Sequence, residues 1–180
     1  MTTCVSLFRG INVGGRQKVR MDELKALHEE LGLKDVVTYI QSGNVIFTSD
    51  NADPAQLAAR IENGFAQKFG FRVKVIVRTA DKFQEIIAHN PFQNDPTKES
   101  KWVVVLFLET LPASTALQDL RQVYAGPEEL FMIGQEVFIY YPDSIGRSKL
   151  SHALLEKKLQ SAGTARNWNT ILQLQKLLQR

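Results

Sequence analysis

Apolar residues along this chain recur with two different periods, and the changes of period mark its elements. Cys4 to Phe8 is a short apolar run that suits a buried strand. Met21, Leu24, Leu27 and Leu31 then fall at helical spacing, and Gly32 is placed to end that helix. Val36 to Gln41 and Val45 to Thr48 are rich in β-branched and aromatic residues, and Ser42-Gly43-Asn44 between them predicts a tight hairpin. Asp53-Pro54 predicts a helix start, with Asp53 as N-cap, Pro54 at the first position, and Leu57, Ile61, Phe65 and Phe69 on one face. Phe71 to Val77 alternates as a strand. The resulting β-α-β-β-α-β order is the split βαβ, or ferredoxin-like, arrangement.

A further helix starts near Thr79, carries Phe83, Ile86 and Ile87, and is stopped by Pro91. The polar stretch from Asn94 to Ser100 is the expected linker. Beyond it the pattern predicts a strand from Trp102 to Leu108, a helix from Ser114 to Tyr124, and strands from Leu130 to Ile133 and Val137 to Tyr141 around a turn at Gly134. Two closing helices are expected, one opening after Gly146 and running from Arg147 to Gln160, the other from Asn167 to Gln179. The fold class is therefore α+β with two subdomains. Residues 1–92 form the ferredoxin-like one, and residues 93–180 form a related β-α-β-β arrangement followed by two helices.

Composition narrows the class. The 180 residues are 44% hydrophobic and 23% charged, enough to bury about 70% of the unfolded surface in one or two cores. Cys4 is the only cysteine, so no internal disulfide can form, and its apolar setting suits a packed thiol in a reducing compartment; a cytoplasmic location is expected. The longest strongly apolar run, Val103 to Leu108, is far shorter than the roughly 20 residues of a membrane span, and no membrane partner is expected. A net charge of +3 is mildly favourable to anionic partners. His28, His89 and His152 fall on three different helices without metal-ligand spacing, so no metal site is expected and they read as surface or edge histidines.

The chemistry concentrates in Arg9-Gly10-Ile11-Asn12-Val13-Gly14-Gly15, a glycine-rich loop between the first strand and the first helix. Its glycines permit positive φ and a close backbone approach, and Arg9, Arg16 and Lys18 put cations around the exposed amides, which is the chemistry of an anion site. Neither the dinucleotide fingerprint nor the Walker A pattern is present. The third strand, Val45-Ile46-Phe47-Thr48, lacks the aromatic signature of an RNA-recognition motif.

Together with RGINVGG at Arg9 to Gly15, the blocks TYIQSGNV at Thr38 to Val45, Asn90-Pro91-Phe92, GRSKL at Gly146 to Leu150 and RNWNT at Arg166 to Thr170 resemble an uncharacterised bacterial family, a domain of unknown function. The resemblance spans the chain. It implies two α+β subdomains, the first ferredoxin-like, and supplies no substrate, cofactor or catalytic residue.

Topology then places the candidates. In a ferredoxin-like sheet the first two strands run the same way with the third between them, so the loop after Phe8 and the Ser42 hairpin share an edge, roughly 10 Å apart at their bases. Arg9, Asn12, Gly14, Gly15, Lys18, Gln41, Ser42 and Asn44 are the binding candidates there, although glycine and asparagine are equally the residues of plain turns. Arg147, Ser148 and Lys149 at a helix start form a second candidate phosphate contact, with Ser148 as a simple N-cap the alternative. Arg166, Asn167, Trp168 and Asn169 complete the set, with Trp168 either stacking on a base or packing in the core. The expected function is binding of a phosphate-bearing ligand, a nucleotide or nucleic-acid segment, in a cleft between the subdomains. An enzyme acting on a phosphorylated small molecule, with Asp143 or Glu156 as base, and a protein-interaction module are the alternatives.

Overall fold

A computed structural model describes every residue from Met1 to Arg180. The chain divides into two units, Met1–Glu85 with Leu174–Arg180, and Ile86–Gln173. No helix is long and apolar enough to cross a membrane.

The first unit contains β1 (Thr2–Phe8), α1 (Met21–Glu30), β2 (Lys34–Tyr39), β3 (Asn44–Ser49), α2 (Pro54–Phe69) and β4 (Val75–Thr79), with α3 (Ala80–Ala88) following. Its strands form one antiparallel sheet in the order β2-β3-β1-β4, as the βαββαβ pattern requires. The α2 start follows the sequence signal: Asp53 accepts hydrogen bonds from the amides of Ala55 at 2.9 Å and Gln56 at 3.2 Å, with Pro54 behind it. The core lies between the sheet and its helices, where Cys4, Phe8, Val45, Phe47 and Val77 meet Leu24, Leu27, Leu57, Ile61 and Phe65. Cys4 is fully buried, and desolvation pushes its thiol up to about 11.

His28 is also fully buried, against the expectation of a surface or edge histidine. It lies one turn beyond Leu24 on the apolar stripe of α1, so the helix carries it inward with Leu24 and Leu27. Its ring packs beside Phe8 and Phe47, at centroid distances of 5.8 and 5.6 Å. Nδ1 is 2.8 Å from the Leu24 carbonyl and therefore carries the proton. Nε2 then accepts from the Ser6 hydroxyl at 3.0 Å. Desolvation lowers the imidazole to about 4, the Leu24 bond opposing the shift, so the core histidine is neutral.

The second unit contains β5 (Val103–Leu108), α4 (Ala116–Val123), β6 (Glu129–Ile133), β7 (Glu136–Tyr140), α5 (His152–Leu159) and β8 (Gly163–Asn167), followed by α6 (Trp168–Leu178). Its sheet, in the order β6-β7-β5-β8, repeats the topology of the first. The repeat extends to register: Val5 lies opposite Arg78 on β4, and Val105 lies opposite Arg166 on β8.

Two sequence expectations change here. A fourth strand, β8, occupies Gly163 to Asn167, so the second unit is a full βαββαβ followed by one helix. Pairing with β5 fixes it, and Gly163 is needed at its start, because a Cβ would stand 2.7 Å from the Phe107 carbonyl oxygen. The helix expected from Arg147 begins instead at His152. Ser151 is its N-cap and accepts from the Leu154 amide at 3.1 Å, while Ile145–Arg147 is only a short 3-10 turn. The Asn94 to Ser100 stretch lies within the second unit.

Candidate functional site

The loop after β1 folds back as a small hairpin of its own. The Asn12 amide donates to the Gln17 carbonyl at 3.1 Å, and the Arg16 amide to the Val13 carbonyl at 3.1 Å. Gly14 and Gly15, with φ of +59° and +73°, form the two central residues of the turn, and a Cβ at either would meet nothing within 4 Å. Both glycines stand in solvent, and neither amide donates within the chain. Arg9, Arg16 and Lys18 around them are exposed.

Asn12 holds this hairpin to the rest of the sheet edge. In the left-handed region at φ +56°, it turns its side chain inward. Oδ1 accepts from the Val19 amide at 2.8 Å, while Nδ2 donates to the Val19 carbonyl at 3.0 Å and to the Gln41 carbonyl at 2.8 Å. Both amide hydrogens are thereby used on the main chain, so Asn12 positions the loop and has no donor left for a ligand. The β2–β3 turn is fixed from the other side. The Phe8 amide donates to the Gly43 carbonyl at 2.9 Å, and the buried Asn44 donates to the Tyr39 carbonyl at 2.9 Å and to Ser42 Oγ at 3.1 Å. Gly43 has no room for a side chain: a Cβ would come within 2.5 Å of Ile11 Cδ1 and 2.8 Å of Phe8 Cβ. The shared edge expected from topology is present, and these contacts tie the loop and the turn to it.

Between loop, turn and helix lies an open groove of about 760 Å³, lined by Asn12, Gly15, Lys18, Val19, Arg20, Met21, Asp22, Glu23 and Gln41. Four of the expected candidates meet here: Asn12, Gly15, Lys18 and Gln41. The sequence reading did not single out Arg20 to Glu23. Arg20 occupies the N-cap position of α1 and makes no side-chain capping bond; it pairs instead with Asp22, Nη2 to Oδ2 at 2.6 Å and Nε to Oδ1 at 3.1 Å. A helix that opens on Arg-Met-Asp-Glu, with no Ser, Thr, Asn or Asp before it, was the available signal.

In the second unit the candidate blocks are built differently. Arg147 and Lys149 are exposed, but Ser148 Oγ donates to Glu128 Oε1, and Tyr124 donates to Glu128 Oε2 at 2.8 Å. Burial works to raise the Glu128 carboxyl, but the hydrogen bonds from Ser148 and Tyr124 outweigh it and hold the group below its ordinary range. Tyr141, buried near Glu128, is pushed up to about 12 by burial first and by that carboxylate second. Ser148 is thus a structural tie between the segment before α5 and the segment before β6, and its Oγ also accepts from the Leu150 amide at 3.1 Å.

Arg166 is only 6% exposed. Its guanidinium donates to Thr164 Oγ1 and to the Ala165 carbonyl, each at 2.8 Å, and desolvation draws it down to about 10, so it stays charged at neutral pH. Asn167 is tied to the main chain on both sides, donating to the Lys101 carbonyl at 2.9 Å and accepting from the Asn169 amide at 2.9 Å. The Trp168 indole is buried, and Asn169 is exposed.

The match that places this chain among known proteins is to the family model described as protein of unknown function, DUF1697, over residues 1–138. The chain belongs to the DUF1697 family. None of the curated proteins matches it. Among solved structures, this DUF1697 chain is similar to the conserved bacterial protein SP0830 from Streptococcus pneumoniae, with 26% identity, a TM-score of 0.74, and coverage of 100% of this chain and 99% of that one. The family match includes the glycine-rich loop, the Gln41 turn and the whole groove lining.

Proposed function

We propose that the first unit binds a phosphate-bearing ligand, a nucleotide or a nucleic-acid segment, in the groove beside the Gly14-Gly15 turn. The observation that carries this reading is the clamp of Asn12 on Val19 and Gln41, which holds the undonated Gly15 amide and the exposed Lys18 in the lining of one cavity of ligand size, with the Gly14 amide next to them in the turn. The amides and Lys18 take the phosphate; exposed Arg9 and Arg16 raise the local positive potential.

The rest of the groove narrows the ligand. Within it, the cations Lys18 and Arg20 are balanced by Asp22 and Glu23, so a bare anion gains little net field. A ligand with a phosphate at one end and hydrogen-bond donors at the other fits this arrangement: the carboxylates accept from a base amine, Gln41 reads its edge, and Val19 and Met21 offer an apolar flank. Nucleotides are therefore favoured over inorganic phosphate or sugar phosphates.

A thermal-stability screen with nucleotides, sugar phosphates, oligonucleotides and inorganic phosphate tests this. A ligand at about 100 times its dissociation constant stabilises the folded state by roughly 2.7 kcal/mol. A shift with nucleotides or oligonucleotides that is lost in Lys18→Ala supports the proposal; no shift with any phosphate compound contradicts it. For an oligonucleotide, log affinity falls with log salt by about 0.7 per phosphate contacted on a single strand, which separates it from a mononucleotide.

A further inference from the structure

The second sheet ends on β6, an edge strand without a bulge or a proline. Edge strands carry a row of unpaired main-chain groups, and proteins blunt them with bulges, charges or proline. In the first unit β2 is blunted in this way: its pairing with β3 shifts between Lys34 and Val37, and Asp35 stands in the left-handed region at φ +51°. β6 has neither a bulge nor a proline, and its one charge, Glu129 at the strand start, is paired with Lys98 of the same chain. Glu129-Leu130-Phe131-Met132-Ile133 pairs residue for residue with β7, without a bulge, a proline or a basic residue. Phe131 packs edge-on against Phe92 of its own chain, ring centroids 5.5 Å apart, and still leaves 46% of its surface exposed; Ile133 is 38% exposed.

Its hairpin geometry defines which groups are open. Ile133 and Glu136 flank a two-residue turn with Gly134 at φ +61°, and such flanking residues form a hydrogen-bonded pair. By alternation Phe131 and Glu129 also bond to β7, so the amides and carbonyls of Leu130 and Met132 point outward. They have no main-chain partner beyond the sheet.

We propose that β6 pairs antiparallel with β6 of a second copy of this chain, centred on Phe131. A strand can pair with all of these outward groups at once in place of water, and this strand is complementary to itself. In the register centred on Phe131, Leu130 and Met132 of each copy exchange hydrogen bonds with Met132 and Leu130 of the other. Phe131 then faces its own copy as a non-hydrogen-bonded pair, where Cα atoms stand about 4.5 Å apart and exposed rings meet. Ile133 faces Glu129, so no like charges oppose one another. A register centred on Met132 bonds only that residue to its copy and leaves Leu130 facing the turn.

Sedimentation velocity on the full chain, from about 1 to 300 µM, reads the association expected of a small interface. Position 133 gives a sign test of the register. Ile133→Glu sets two carboxylates against Glu129 across the axis and weakens the dimer about three- to tenfold, whereas Ile133→Lys sets opposite charges there and leaves it as tight or tighter. Since Cys4 is buried, Phe131→Cys reports proximity cleanly: it cross-links to its copy on oxidation, faster than Leu111→Cys, which is placed at a residue 71% exposed outside the strand. A wild-type chain that stays monomeric throughout, equal effects of Glu and Lys at position 133, or equal cross-linking at positions 131 and 111 would each overturn the pairing.

Discussion

Asn12 and Gln41 are 29 residues apart in sequence and joined by a 2.8 Å hydrogen bond from Nδ2 to the main-chain carbonyl. This bond ties the glycine-rich loop to the β2–β3 turn, and with the two bonds to Val19 it gives the groove a fixed wall. Asn12→Ala removes all three bonds and leaves the main-chain groups of buried Val19 without them, so denaturant unfolding should show a loss of about 2 kcal/mol. Asn12→Asp keeps only the bond to the Val19 amide and should fall between. Wild-type stability in both variants would mean that the clamp does not hold the loop.

The two turns at this edge should respond differently to the same change. Gly43→Ala meets Phe8 Cβ and Ile11 at a φ of +82°, combining overpacking with a strained backbone, and should cost about 3 kcal/mol. Gly14→Ala has open space and only the conformational term, about 1 kcal/mol. Thermal melts of the pair decide this; equal losses would contradict the packing described around Gly43.

His28 makes stability depend on pH in a defined window. Its folded-state value, about 4, lies below the ordinary 6.5, so the unfolded chain binds the extra proton first. Stability is therefore fully present above about 6.5, falls as pH drops toward 4, and loses on the order of 3 kcal/mol through this residue. Relative to wild type, His28→Gln should flatten that decline in urea unfolding between pH 7.5 and 4.5. A parallel decline in both proteins would mean that His28 is not the residue responsible.

Much of this fold could be read from the sequence because period and caps agree: Leu24 and Leu27 mark the face of α1, Asp53-Pro54 starts α2, and the Gly43 hairpin separates β2 from β3. β8 was hidden because Gly163-Thr164-Ala165-Arg166-Asn167 is small and polar and carries a buried guanidinium; its strand identity comes from pairing with β5, not from its own pattern. The start of α5 is not legible in the sequence, because Gly146-Arg147-Ser148 imitates a helix entry, while Ser148 in fact bonds Glu128 and Ser151 caps the helix. Of the site, the loop and turn were legible as glycine and asparagine. Arg20 to Glu23 were not, since acidic residues in a first helical turn also serve the macrodipole alone.

The most direct test of the proposed groove is a two-dimensional amide NMR titration of the full chain with a mononucleotide and, separately, a short single-stranded oligonucleotide. The account predicts saturable shifts at Gly14, Gly15, Lys18, Arg20 to Glu23 and Gln41, with Leu111 and Val123 unmoved. Shifts absent from these residues at saturating ligand, or confined to residues of the second unit, would contradict it.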